Sequence, residues 1–238
     1  MTVPTFTDPR QKEAKVRQLQ REGVIFIDPE HAYIEDDVRV GEGTIIHPNV
    51  YLYRGTKIGK NCSVGPSAFI EGTSIGQNCQ IGFGAHITQS VLNPQCQIEH
   101  AQIKRSFLGK RTKAKHHCYI GDAVVYRDCN IGAGTVFCNY DGSKKSKTIL
   151  APEVFVGSGT MLVAPLRVGK GSYIAAGSVV TKDVPPRTLV IARSQNHTHE
   201  LKEAIRAMAT TPTEIHKRDY VRRDKHGWRI QRPATPAK

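Results

Sequence analysis

An aliphatic residue returns at every sixth position from Ile34 through Val40, Ile46, Leu52, Ile58 and Val64 to Ile70. After a step of five the series resumes at Ile75, Ile81 and Ile87, and it returns at Leu150, Val156, Leu162, Val168, Ile174 and Val180. A period of six matches neither the 3.6 of an amphipathic helix nor the 2 of a half-buried strand. Glycine commonly follows the aliphatic residue, as in Val40-Gly41, Ile58-Gly59, Ile81-Gly82, Ile131-Gly132 and Val168-Gly169. Something small often precedes it by two places: Thr44, Thr56, Ala68, Thr73, Ala85 or Ala123. This is the hexapeptide pattern of a parallel β-helix, in which each hexad supplies one short strand and one corner and three hexads close a triangular coil. The aliphatic side chain fills the prism, and the small residue fits where the corner narrows.

Ile34 to Val180 at about 18 residues per coil, less an excursion near residues 139–147, gives roughly eight coils. At ~4.8 Å between stacked strands the prism is about 40 Å long. The lattice also places the cysteines. Cys62, Cys79, Cys96, Cys118 and Cys129 each stand two places before an aliphatic position, so they are expected to face inward as small apolar residues. Cys138 alone is off this register, beside the excursion. No CxxC pair and no export signal accompany them, so free thiols in the cytoplasm are expected.

The flanks break the pattern. Residues 1–30 form an N-terminal helix and linker, 31–193 the β-helix, and 194–238 a short helix with a basic tail. Asp8 to Gly23 places Ala14, Val16 and Leu19 among good helix formers and ends at a glycine suited to a C-cap. His199 to Ala209 also reads as a short helix. The stretch Lys217 to Lys238, with Trp228, Pro233 and Pro236, is expected to be loosely ordered unless it docks. No window reaches the ~18 apolar residues of a spanning helix. The 34 Lys and Arg exceed the 21 Asp and Glu, a net charge of +13 that calls for polyanionic company.

The segment from Ile103 to Val180 narrows that company. Lys110-Arg111-Thr112-Lys113-Ala114-Lys115-His116-His117-Cys118-Tyr119-Ile120-Gly121-Asp122 precedes Asn130-Ile131-Gly132-Ala133-Gly134-Thr135. Cys138-Asn139-Tyr140-Asp141-Gly142, Val154-Phe155-Val156-Gly157-Ser158 and Ile174-Ala175-Ala176-Gly177 follow in order. Together they resemble the acetyltransferase half of the bacterial bifunctional N-acetylglucosamine-1-phosphate uridyltransferase/glucosamine-1-phosphate acetyltransferase family. The resemblance covers most of residues 20–193 and reappears at Gly227-Trp228-Arg229. It implies an all-β, left-handed parallel β-helix, a homotrimer with its sites in the clefts between prisms, acetyl-CoA as co-substrate and no metal.

Moving an acetyl group from a thioester to a sugar amine needs an unprotonated amine, a general base and donors for the tetrahedral oxyanion. Histidine, with an ordinary pKa of ~6.5, accepts a proton near neutrality. His116 lies two places after Ala114, a corner position from which its ring should point outward. The resemblance makes it the catalytic base; a solvated corner histidine is the plain reading, and a one-residue register change would exchange it with His117. By the same resemblance Lys104, Tyr119 and Asn130 hold the sugar phosphate or its amine. Ala133, Asn139, Tyr140, Ser158, Ala176 and Arg193 line the path of acetyl-CoA, and Lys145 shares the Asn139 loop. Ordinary small corner residues account equally well for Ala133 and Ala176.

Two departures accompany the likeness. Where the family has an Arg-Pro-Gly segment whose arginine grips the sugar-1-phosphate, this chain reads Thr88-Gln89-Ser90, and the stretch to Lys104 is two residues shorter. Arg105 stands nearby as a compensating cation, and the acceptor is left open between glucosamine-1-phosphate and another amino sugar, including a nucleotide-linked one. No glycine-rich nucleotide loop occurs before Ile34, so the chain is expected to acetylate without uridyl transfer. Three rival readings remain. Specific nucleic-acid binding draws on Arg222-Arg223-Asp224-Lys225, yet no nucleic-acid-binding motif accompanies it. Zinc held by three histidines, as in the trimeric hexapeptide carbonic anhydrases, finds no ligand pattern among His86, His100, His116 and His117. A non-catalytic scaffold is opposed by the joint presence of His116, Asn130, Asn139, Tyr140 and Ser158.

Overall fold

The computed structural model describes residues 9–193 together with the strands Tyr220–Asp224 and Gly227–Gln231. Residues 25–190 wind into a three-sided parallel β-helix whose faces carry ten, nine and eight strands. The chain visits the faces in a fixed order. On the first lie Ile45–Ile46, Ser63–Val64 and Gln80–Ile81; on the second Val50–Tyr53, Phe69–Glu71 and His86–Thr88; on the third Lys57–Ile58, Ser74–Ile75 and Val91–Leu92. Successive coils pair in register, so Ile46, Val64, Ile81 and Ile98 stack inside the first face. The six-residue ladder is therefore the inner lining of the prism, and its aliphatic members are almost wholly buried. Each contributes roughly 1.5–3 kcal/mol of transfer free energy. The strands begin before Ile34, at Ile25–Phe26, and end at Leu189–Val190, so the prism extends past the ladder at both ends.

The five-residue steps have a local cause. Ile70 to Ile75, Ile87 to Leu92, Ile103 to Leu108 and Ile120 to Val125 all cross from the second face to the third. Each crossing turns on one residue in the left-handed region: Gly72, Gln89, Arg105 or Asp122, with φ between 49° and 54°. The glycines after the ladder positions are required by stacking. A Cβ on Gly157 would lie 2.4 Å from the Ala176 backbone nitrogen in the next coil. The small corner residues Thr44, Thr56, Ala68, Thr73, Ala85 and Ala123 are all buried. So are the five lattice cysteines, whose thiols are free, while Cys138 is half-buried. Burial pushes the Cys118 and Cys129 thiols up to about 11.

The helix α1 (Pro9–Arg21) packs against Ala32–Ile34 in the first turn of the prism. It buries Val16, Leu19 and Lys15, the last donating its ammonium to the Asp36 carbonyl at 2.8 Å. Ala14, expected on the apolar stripe, faces solvent instead. The lysine stem takes the buried place because its charged tip can reach a carbonyl at the rim. Gly23, at φ 85°, ends the helix as expected. Residues 194–238 form a separate unit. Within it Tyr220–Asp224 and Gly227–Gln231 pair antiparallel, a hairpin where the composition suggested only a loose tail. The helix expected at His199 to Ala209 lies outside the described residues.

Candidate functional site

The corner between the first and second faces carries His116. Its backbone and that of His117 occupy successive left-handed positions, with φ of 60° and 63°. Their N–H groups donate to the Glu99 and His100 carbonyls of the preceding coil, both at 3.0 Å. Both side chains are exposed, as the lattice required of a corner. They differ in what they meet. The His117 ring lies 4.9 Å from the His100 ring, which in turn meets Phe83 at 4.7 Å. The His116 ring has no side-chain partner among the described residues and stands exposed and unstacked.

From His116 a column of backbone runs along this corner toward the C-terminal end. The Gly134 N–H donates to the His116 carbonyl at 2.9 Å, Gly159 to Ala133 at 2.7 Å, and Gly177 to Ser158 at 2.8 Å. The Arg193 guanidinium closes the column by donating to the Ala176 carbonyl. Ala133, Ser158, Ala176 and Arg193, separated by as many as 60 residues of sequence, are thus successive rungs above His116. Four coil steps at ~4.8 Å span about 19 Å. Gly134 and Gly159, with φ of 65° and 66°, have only open space where a Cβ would stand, so this edge presents bare backbone to solvent.

The second face begins at that corner and bears the acceptor candidates. Tyr119 points outward from Tyr119–Gly121, and Lys104 sits in register with Thr88 on one side and Gly121 on the other. Thr88 is buried, so it fills the position where a phosphate-gripping arginine was sought without presenting a charge. Asn130 is on a different face. It lies in register between Lys113 and Phe155 on the first face, and a single chain does not bring it into the Tyr119 row.

The far edge of the second face holds a side-chain network. Arg105 donates to Asp122 from Nε and Nη2, both at 2.6 Å, and the Asn139 amide donates to the same carboxylate. The Arg105 guanidinium, with the Asn139 amide, holds the Asp122 carboxyl below its ordinary value despite partial burial. Arg105, expected to compensate for the missing arginine, has two of its nitrogens committed to Asp122 instead. Asp122 itself was not anticipated. Its signal is nevertheless in the sequence, since Arg105, Asp122 and Asn139 follow one another at intervals of 17, the local coil length.

Asn139 also opens the excursion. Ser146 N–H donates to its carbonyl at 2.8 Å, and Asp141 Oδ1 accepts from the Ser143 and Lys144 N–H groups at 2.8 Å each. Tyr140 is exposed on this loop, its hydroxyl donating to the Gly142 carbonyl. In one chain, then, Asn139 and Tyr140 stand at the opposite edge of the face from His116, Ser158 and Ala176. No three His, Cys, Asp or Glu side chains among the described residues come together as metal ligands would. Nor is any helix among them long and apolar enough to cross a membrane.

Residues 83–140, which contain His116, Lys104, Tyr119, Asp122, Asn130 and Asn139, match the family described as GlmU-like, C-terminal hexapeptide. Over this segment the chain is similar to the GlmU-like C-terminal hexapeptide family. Coils on either side match the bacterial transferase hexapeptide (residues 37–72 and 55–89) and the hexapeptide repeat of succinyl-transferase (residues 153–182). The bifunctional protein GlmU of Carboxydothermus hydrogenoformans is 43% identical over 199 residues, covering 76% of this chain and 45% of that protein. That of Syntrophotalea carbinolica is 48% identical over 196 residues, covering 74% and 42%. The chain therefore spans less than half the length of these GlmU relatives. Among solved structures, a UDP-N-acetylglucosamine acyltransferase from Bacteroides fragilis aligns with a TM-score of 0.42 at 16% identity, covering 79% of this chain and 77% of that one, a likeness too loose to bear on the site.

Proposed function

We propose that this chain is an acetyl-CoA-dependent N-acetyltransferase acting on an amino-sugar phosphate, with glucosamine-1-phosphate as the acceptor that the sequence resemblance implies. The observation that carries the reading is the column from His116 to Arg193. It offers an extended donor one continuous backbone edge, with a free imidazole at one end and a guanidinium for the CoA phosphates at the other. Lys104 supplies a flexible point charge for the sugar phosphate, and Tyr119 stands in the adjacent row.

In this reading the sugar amine attacks the thioester carbonyl while His116 takes the proton the nitrogen loses. Backbone N–H groups of the corner, with the Ser158 hydroxyl, hold the oxyanion of the tetrahedral intermediate. Collapse breaks the C–S bond, and the CoA sulfur leaves with a proton as the acetamide forms. Transfer in this reading is direct: the five lattice thiols are sealed inside the prism, and the half-buried Cys138 lies on the opposite edge of the face from His116. The two half-sites on opposite edges of one face support a homotrimer, in which a neighbour's Asn139–Tyr140 loop reaches the donor edge and Asn130 joins the acceptor. Free thiols throughout suit a reducing, cytoplasmic setting.

The test is thiol release from acetyl-CoA. Release that depends on glucosamine-1-phosphate and yields its N-acetyl product supports the reading. Release with other amino sugars alone would move the acceptor, and none with any amino sugar would reject the activity.

A further inference from the structure

The corner Gly121–Asp122 is where the acceptor row and the donor loop touch. A Cβ on Gly121 would lie 2.5 Å from the Tyr119 hydroxyl and 2.7 Å from the Asn139 Nδ2, so those two groups fill the space that a side chain would take. Asp122 stands beside them with a side chain only 13% exposed, and both its oxygens are engaged. Oδ1 accepts from Arg105 Nε, and Oδ2 accepts from Arg105 Nη2 and from Asn139 Nδ2. Arg105 directly follows Lys104, while the Lys145 cation on the loop lies within electrostatic reach of the same carboxylate.

A carboxylate only accepts, whereas an amide has one accepting and one donating end. An ionised Asp122 therefore decides which way the buried Asn139 amide faces, and the opposite orientation would set oxygen against oxygen. We infer that Asp122 is a positioning residue, fixing the Asn139 amide and through it the root of the 139–147 loop in register with the Tyr119 and Lys104 row. The role rests on the acetyltransferase reading, in which Asn139 meets the acyl donor. Arg105 supports the carboxylate but does not touch Asn139, so the two partners of Asp122 separate cleanly.

The experiment is a double-mutant cycle read on the KM for acetyl-CoA, on kcat and on acetyl-CoA binding without acceptor. Asp122→Asn is expected to weaken acetyl-CoA recognition about 10-fold beside native Asn139, and by less than about 2-fold in the Asn139→Ala background. Arg105→Gln, which removes the ion pair but leaves the amide bond, is expected to lower the melting temperature while the KM for acetyl-CoA stays within about 2-fold. Asp122→Ser serves in the same cycle if Asp122→Asn folds poorly. Equal losses in both backgrounds, or an Arg105→Gln variant that reproduces the KM change, would overturn the positioning role alone. A wild type that neither binds nor cleaves acetyl-CoA would overturn the acetyltransferase reading and this role with it.

Discussion

The two edges of the second face are built on different principles. The edge running from His116 to Arg193 is backbone and small side chains, held open by Gly134, Gly159 and Gly177 in left-handed conformations. The other edge turns on Arg105 and Asp122, likewise left-handed, but fills its corner with a partly buried ion pair and the Asn139 amide. Space and peptide groups define the first, charge and orientation the second. Substitutions should therefore act sterically on one edge and electrostatically on the other.

The largest separation should come from filling the donor edge. Ala176→Trp is expected to lower kcat/KM for acetyl-CoA by about 10²-fold, close to 2.7 kcal/mol of transition-state binding, with little change in melting temperature. Steady-state kinetics against thermal unfolding check it; equal kinetics would remove Ala176 from the donor path. One place inward the same enlargement should destabilise instead. Gly157→Ala meets the Ala176 backbone nitrogen at 2.4 Å, and overpacking of this kind costs about 1–3 kcal/mol in denaturant unfolding.

The charged edge should respond to pH. The folded-state pKa of Asp122 is depressed, chiefly by its Arg105 hydrogen bonds, below the ordinary value of 3.8. Its contribution to stability is thus complete above that value and is lost as pH falls through the folded-state pKa. Unfolding measured from pH 6 downward should show wild type and Asp122→Asn converging in acid, with the gap widest near neutrality. A constant gap would contradict the ionic account. The smallest effect belongs outside both edges: Glu13 pairs with Arg17 on α1 with both side chains more than 60% exposed, so Glu13→Ala should shift stability by less than about 0.5 kcal/mol.

The difference between the edges also explains what the sequence disclosed. A repeat of six, small corner residues and Gly after the aliphatic position prescribe the prism, because each follows from burial and stacking. The same lattice puts His116 at an exposed corner and five of the six cysteines inside. What it conceals is relation across coils. Asp122 is an ordinary corner residue until the coil length of 17 sets it between Arg105 and Asn139. The 17-residue spacing likewise aligns Phe83, His100 and His117. Asn130 shows the converse limit. Family likeness groups it with Tyr119 and Lys104, whereas the winding places it on another face, away from their row. Lys15 in place of Ala14 beneath α1 depends on a single carbonyl, that of Asp36, which no periodicity reports.

The central claim is that His116, and not its stacked neighbour His117, takes the proton as the amine attacks. Single-turnover acetyl transfer by His116→Ala and His117→Ala, each verified as folded and of native oligomeric state, tests it most directly. The expected result is a loss of at least about 10²-fold for His116→Ala and less than about 5-fold for His117→Ala. Near-native turnover by His116→Ala, or the larger loss in His117→Ala, would contradict it.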